Sequence, residues 1–372
     1  YLFLLYELMG VVTNLSAGWL AARFGLASTL YAGLILQIAA LLGMTRLDPA
    51  WTLAGSVIFV MLIQGVSGVA KDLAKMSSKS AVKVLAPTDV KGALFRWVAL
   101  LTGSKNAVKG FGFLLGAGLL GMVGFETSML GMAAALALVL ILVMILMPGG
   151  LPGGSKGTKL RDVFSKNPNI NRLSAARLFL FGARDTWFVV GIPIYFYGIL
   201  SDGSEAGNRA AFFLIGSFMA AWIIGYGIVQ AAAPGLLRAA DRETGGIVEL
   251  CRTWVAVLTF IPALLAIAAW GLPAHSVLLT WGIVIGLMIF GTVFAINSSI
   301  HSYLILAFSE AHRVTMDVGF YYMSNAAGRL AGTLLSGLSY QAGGLPASLM
   351  TAAAMSAASW LCASRLVKGH GV

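Results

Sequence analysis

Ser67-Gly-Val-Ala-Lys71-Asp-Leu-Ala-Lys75-Met-Ser-Ser-Lys79-Ser-Ala-Val-Lys83 places a lysine at every fourth position. At 3.6 residues per turn, that spacing stacks the lysines along one slowly rotating helical stripe. Lys91, Arg96, Lys105 and Lys109 follow, and between Ser67 and Gly112 only Asp72 and Asp89 oppose them. The surrounding chain is 59% hydrophobic and only 10% charged, where soluble domains carry roughly 25% charged residues. Such a cationic run in so apolar a chain has to live at, or inside, a bilayer. Irregular backbone cannot satisfy its polar groups in lipid, so the fold class is an all-α polytopic membrane protein.

The formal charge of +11 does not point to nucleic acid. The basic residues sit mostly in short loops between apolar runs, which is the positive-inside pattern. Cys251 and Cys362 are far apart in apolar surroundings and form neither a disulfide framework nor a metal-binding pair. Stretches of about 20 apolar residues predict helices over 1–22, 29–46, 52–71, 93–124, 127–147, 175–200, 210–233, 247–270, 276–299, 314–343 and 345–364. With the loop after the first of these in the cytoplasm, Arg23, the Lys71–Arg96 cluster, the basic residues from Lys156 to Arg177, Arg238, Arg242, Arg252, Arg313, Arg365 and Lys368 all fall inside. Arg46 and Arg209 remain outside. This bias predicts a multi-pass protein of the inner (plasma) membrane with a cytoplasmic C-terminus.

Residues 148–174, opened by Pro148, Gly149, Gly150 and Pro152, read as a cytoplasmic linker between an N-terminal helical half (1–147) and a C-terminal half (175–372). Asn106, Ala107, Leu115, Gly118 and Gly124 recur 219 residues later as Asn325, Ala326, Leu334, Gly337 and Gly343. Parallel repeats of this kind are a transporter pattern.

Ionisable groups within the spans need a partner or a purpose, because each costs roughly 2.5–3.5 kcal/mol at a helix centre. Lys105 and Lys109 share a helical face, and Arg184 lies two turns beyond Arg177. With Arg329 and the deepest stripe lysine, Lys71, they are candidate ligands for an anion. A guanidinium fork suits phosphate or carboxylate. Asp185 and Glu7 are candidate coupling carboxylates. Each has a plainer reading: the lysines snorkel to the surface, Arg184, Arg329 and Asp185 form structural pairs, and Glu7 pairs with a basic residue. Lys75, Lys79 and Lys83 read as a solvated face beside lipid headgroups. Asn106, Asn325, Gln64, Tyr226, Gln230, Asn297 and His301 are candidate cavity-lining residues or interhelical hydrogen bonders, and Gly191 and Pro193 mark a bending point. Leaving Lys71 aside as an entry-site residue, Lys105, Lys109, Arg184 and Arg329 against Glu7 and Asp185 leave a surplus that suits a multiply anionic solute, with no cofactor. No Walker-type loop, H-E-x-x-H or G-x-S-x-G is present, so neither ATP drive nor an intramembrane enzyme is expected.

Gly18-Trp-Leu-Ala-Ala-Arg-Phe-Gly25 resembles the loop between helices two and three of the major facilitator superfamily. Gly18, Arg23 and Gly25 fall on its gating-loop positions, and Ala22 stands where that loop usually has Asp. The match implies that residues 1–22 are helix two of twelve, with helix one absent from this chain. The 67–83 stretch, Gly103-Ser-Lys-Asn-Ala-Val-Lys-Gly110 and Phe181-Gly-Ala-Arg-Asp-Thr-Trp-Phe-Val-Val-Gly-Ile-Pro193 further resemble the ArsJ-type organoarsenical efflux permeases. That resemblance implies secondary active efflux, by alternating access, of 1-arseno-3-phosphoglycerate. This ester forms when a glyceraldehyde-3-phosphate dehydrogenase accepts arsenate, so its export would confer arsenate resistance. The alternatives are an exporter of another phosphorylated metabolite or drug, and a non-transporting membrane sensor.

Overall fold

The computed structural model describes residues 2–367 except 49, 148–150, 152, 156 and 275; for residues 2–7, 110, 113, 114, 117, 118, 120 and 121 the main chain alone is described. The chain is built of helices: α1 Leu2–Phe24, α2 Leu26–Met44, α3 Leu53–Leu85, α4 Ala93–Val123, α5 Phe125–Leu146, α6 Pro168–Phe188, α7 Gly191–Leu200, α8 Glu205–Leu236, α9 Thr244–Gly271, α10 Val277–Phe308 and α11 Val314–Ser364. Among the described residues, eight stretches are long and apolar enough to cross a membrane, with α6–α7 and α11 each counted as one. Their outward faces are apolar at helical spacing. On α9, Val257, Phe260, Leu264 and Ile267 are exposed, and on α10, Val277, Leu278, Trp281 and Ile285. Stripes of this kind would aggregate in water and suit a hydrocarbon solvent.

Several sequence-predicted boundaries need correction; the span expected over 276–299, for one, runs on to Phe308. Helix α3 runs to Leu85, well past residue 71, so the whole lysine stripe is helical. The apolar run marks only the lipid-facing part of a longer helix. The predicted span 175–200 starts at Pro168 instead, behind an Asn167 cap whose side chain accepts from the Asn169 N–H, and it breaks at Val189–Val190 before resuming as α7. Pro193 thus sits in the first turn of α7, where a missing N–H costs little. Ser336 Oγ on α11 accepts from the main-chain N–H groups of Val190 (3.2 Å) and Gly191 (3.4 Å), so the break leaves them satisfied. The predicted division between residues 343 and 345 appears as a kink, with Gly343 and Gly344 out of helical conformation and Gly344 at φ 63°.

One end of the bundle gathers the loops rich in Lys and Arg. There Gly25 pairs with Gly153, Ser155 N donates to Ala22 O, Trp19 Nε1 donates to Thr158 O at 3.0 Å and an Arg313 terminal nitrogen donates to Asp162 O at 2.8 Å. The segment between α5 and α6 is therefore strapped across the mouths of α1 and α11. Gly25, at φ 91°, makes a turn that an L side chain would strain.

Near this end, helices from the two sides of that segment touch backbone to backbone. A Cβ on Gly18 would stand 2.9 Å from Gly319 Cα, and one on Gly103 2.6 Å from Gly227 O. Further along α4, Gly112 and Gly116 meet no described atom within 4 Å. Helices α4 and α8 are in contact where Gly103 meets Gly227. Gly103→Val places three heavy atoms where none fits, and overpacking of this kind costs about 1–3 kcal/mol. Thermal unfolding in detergent should show a Tm several degrees lower than wild type, while Gly112→Val should leave Tm within a degree.

Candidate anion-binding site

Helix α6 brings its polar residues inward. Arg177, Ala183, Asp185, Thr186 and Trp187 are all buried, and Trp187 stacks edge-on with Trp222 and Phe290. Gly182 and Gly328, whose Cβ positions would meet the opposing helix, let α6 and α11 lie in close contact. That approach sets Asp185 beside Arg329. Arg184 Nε donates to Asp185 Oδ1 at 2.6 Å, and Arg329 Nε donates to Asp185 Oδ2 at 3.3 Å. One carboxylate, 3% exposed, therefore serves two guanidinium groups that are 16% and 33% exposed. The Arg184 guanidinium also lies 4.7 Å from the Phe181 ring centre, a cation–π contact that fixes its plane.

Two neighbouring cations have no carboxylate among the described residues. Lys109 is solvent-accessible yet lies within electrostatic reach of Arg184, Arg329 and Asp185. Lys105, one turn closer to the basic end, is also accessible and lines a small cavity with Lys75, Ser78, Lys79, Leu101, Thr102 and Tyr322. Lys71 is exposed on α3, within reach of both Lys105 and Lys109. Gln64, seven residues before Lys71, is exposed as well.

Within the lysine stripe, Lys75 and Lys79 do not form the solvated face expected of them; Lys71 is exposed and Lys83 is half-buried. Lys75 Nζ pairs with Asp72 Oδ1 at 2.7 Å and donates to Asn14 Oδ1 at 2.5 Å. It sits 4.4 Å from the Tyr322 ring centre. Thr13 Oγ1 donates to Asp72 Oδ2 at 2.6 Å, completing a polar knot that joins α1 to α3. Lys79 is 2% exposed. The apolar surface of α3 precedes the stripe, and its last three turns pack inward, so the stripe turns toward Tyr321 and Tyr322 of α11.

The other sequence-predicted polar residues form a chain across the bundle. Asn106 Nδ2 donates to Gln230 Oε1 at 2.7 Å, and Gln230 Nε2 donates to Ser298 Oγ at 3.1 Å. Tyr226 Oη donates to the same hydroxyl at 3.0 Å. Arg177 donates through one terminal nitrogen to Ser298 Oγ at 3.0 Å and through Nε to Asn325 Oδ1 at 2.9 Å. The repeated asparagines, Asn106 and Asn325, thus stand at the two ends of one hydrogen-bonded path through α8, α10 and α6. Asn297 is fully buried and donates to Val293 O in its own helix. His301 is fully buried, and neither ring nitrogen has a hydrogen-bond partner among the described residues.

Arg177, Lys75, Lys79, Ser298 and Tyr321 were not singled out as site residues from sequence. For Arg177 a signal existed: it lies two turns before Arg184 and so on nearly the same face. Glu7 lies in α1, but its side chain is outside the described residues. Around the gating loop, Gly18 is the contact with α11 described above, and the Arg23 guanidinium stacks 5.3 Å from the Trp19 ring centre. No group of three or more His, Cys, Asp or Glu suited to a metal occurs among the described residues.

Solved structures match this helix arrangement along nearly the whole chain. The human organic anion transporter MFSD10 superposes with a TM-score of 0.72 at 16% identity, covering 97% of this chain and 83% of that one. A bacterial homologue of the iron transporter ferroportin, in an outward-facing state with soaked iron, gives 0.74 at 14% identity, covering 98% and 88%. The transporter FucP in its outward conformation gives 0.70 at 12% identity, covering 98% and 89%. The chain has the major facilitator superfamily fold. No protein-family model matches its sequence, and no curated protein does. Within the major facilitator fold, the Asp185 cluster lies on α6 and α11 with Lys109 of α4 facing it.

Asp185→Asn would leave Arg184 and Arg329 without their shared counter-charge. Stranding a fully buried charge costs about 3–5 kcal/mol; partial hydration of Arg329 lowers the expectation to roughly 2–3 kcal/mol. Thermal denaturation should show that loss, and the double variant Asp185→Asn/Arg184→Gln should recover at least half of it. Equal Tm values for the single and double variants would mean that the two side chains are not energetically linked.

Proposed function

We propose that this chain is a secondary transporter exporting an organic phosphate-like anion by alternating access, and that the anion is 1-arseno-3-phosphoglycerate. The observation that carries the reading is the Asp185 cluster: two guanidinium groups share one carboxylate, and Lys109 is within electrostatic reach without a carboxylate of its own among the described residues. A planar fork presents paired donors to a phosphate or arsenate group, and an ammonium adds charge without fixed geometry. A cation would be repelled there, and a neutral lipophile would leave the charges unanswered.

In this reading the basic end faces the cytoplasm of the inner membrane, where the C-terminus also lies. Residues 1–147 and 175–372 are two halves that rock about the cavity, joined by 148–174. The close glycine contacts at the basic end, Gly18 against Gly319 and Gly103 against Gly227, support an arrangement closed on that side. MFSD10, one of the similar structures, is described as an organic anion transporter, which supports an anionic cargo. Asp185 and Glu7 are the proposed coupling carboxylates. The arsenylated ester comes from the ArsJ-type resemblance, and it makes a glyceraldehyde-3-phosphate dehydrogenase the functional partner that supplies the solute.

Cells carrying the full-length protein should survive arsenate only when the dehydrogenase is co-expressed. Resistance that ignores the dehydrogenase would remove the arsenylated solute from the proposal. Arg184→Gln should cut ester uptake into everted vesicles at least tenfold, equivalent to about 1.4 kcal/mol of lost binding; near-normal uptake would reduce Arg184 to a packing residue.

A further inference from the structure

Lys79 has no function in the reading above, and its surroundings are hard to explain as packing. It is 2% exposed, and its Nζ has no hydrogen-bond partner among the described residues. The charged groups that bear on it are Arg177 of α6, Lys105 of α4 and Lys75 of α3, all cationic. The carboxylate nearest in sequence, Asp72, is already engaged by Lys75, Thr13 and Asn14. The ammonium rests 5.1 Å from the Tyr322 ring centre and 5.6 Å from that of Tyr321. The Arg177 guanidinium lies 5.0 Å from the same Tyr321 ring. Two aromatic faces give partial compensation for a desolvated cation, but they do not replace a counter-ion where three more positive groups converge.

The arrangement also has room. Lys79 and Lys105 both line a cavity of about 40 Å³, together with Lys75, Thr102 and Tyr322. Volume of this order accepts water or part of an oxyanion. Its lysines come from two helices, α3 and α4, and line the same cavity.

We infer that Lys79 and Lys105, which line this cavity with Lys75, form a second oxyanion-binding site, nearer the basic end than the Arg184–Arg329 pair. Lys105 precedes Lys109 by one turn of α4, so the two sites are offset by roughly 6 Å along the helix. A short ester with an oxyanion at each end spans that offset, one group against Arg184 and Arg329, the other against Lys79 and Lys105. This part of the inference rests on the anion reading of the Asp185 cluster; the second site itself rests on the unpartnered, buried Lys79.

Isothermal titration of the purified full chain with two probes separates these ideas: propyl phosphate, with one oxyanion, and propane-1,3-diyl bisphosphate, with two. Wild type should bind the bisphosphate at least tenfold more tightly than the monophosphate, and Lys79→Met should bring that ratio close to one. Lys105→Gln, at an accessible position where folding is not at stake, should lower the ratio at least threefold. Lys79→Met should also raise the Tm of the anion-free protein, since it removes an unpartnered buried charge, and Lys79→Arg should keep most of the wild-type ratio. A ratio near one in wild type, or one unmoved in both Lys79→Met and Lys105→Gln, would overturn the second site. If Arg184→Gln then still abolished binding of both probes, the anion reading of the Asp185 cluster would stand without it. If neither probe bound wild type, both would fall.

Discussion

Asp185 accepts from Arg184 and Arg329 at once, and Lys105 and Lys109 stand within electrostatic reach with no carboxylate paired to them among the described residues. In a low-dielectric bundle that imbalance has to be relieved by water, by aromatic faces or by an anion. Solvent access and aromatic faces are both found among the described residues. Lys105 and Lys109 remain accessible to solvent, and Arg177, Arg184, Lys75 and Lys79 each lie against aromatic rings. The third is the role proposed for a solute. The cavity's chemistry follows from this residual charge more than from any single hydrogen bond.

Small residues put the charges where they act. Gly18 against Gly319, Gly103 against Gly227 and Gly182 against Gly328 bring backbones together, and each contact turns one polar face toward another. Helices α4 and α11, which carry the repeated residues, each pack on a helix from the other side of the 148–174 segment. Their equivalent asparagines then close one hydrogen-bonded path through Gln230, Ser298 and Arg177. The two asparagines of the sequence repeat thus stand at the two ends of that path.

Much of the fold was legible because hydropathy reports directly on lipid exposure. The apolar runs located the helices, and the breaks between them near 23–28 and at 344 correspond to the turn at Gly25 and the kink at Gly343–Gly344. Boundaries were less legible where a helix leaves the bilayer, since polarity alone does not end a helix: α3 continues through four lysines. The direction of that stripe was also hidden. A lysine every fourth residue fits a wet face and a buried one equally well, and only the partners Asp72, Asn14, Tyr321 and Tyr322, which are distant in sequence except for Asp72, decide between them. Arg177 was overlooked because the linker's basic residues run up to it. Lys109, Arg184, Asp185 and Arg329 stood out because charges within apolar runs are rare, but that Asp185 takes both arginines depends on the α6–α11 approach.

The central claim is that the cavity is cationic enough to hold an oxyanion within the bundle. Crystals of the full chain soaked in arsenate, with data collected at the arsenic absorption edge, would test it most directly. The account predicts an anomalous peak between α4, α6 and α11, within hydrogen-bonding distance of Arg184 or Arg329. Arsenic found only against the exposed loops of the basic end, with no peak in the cavity, would contradict it.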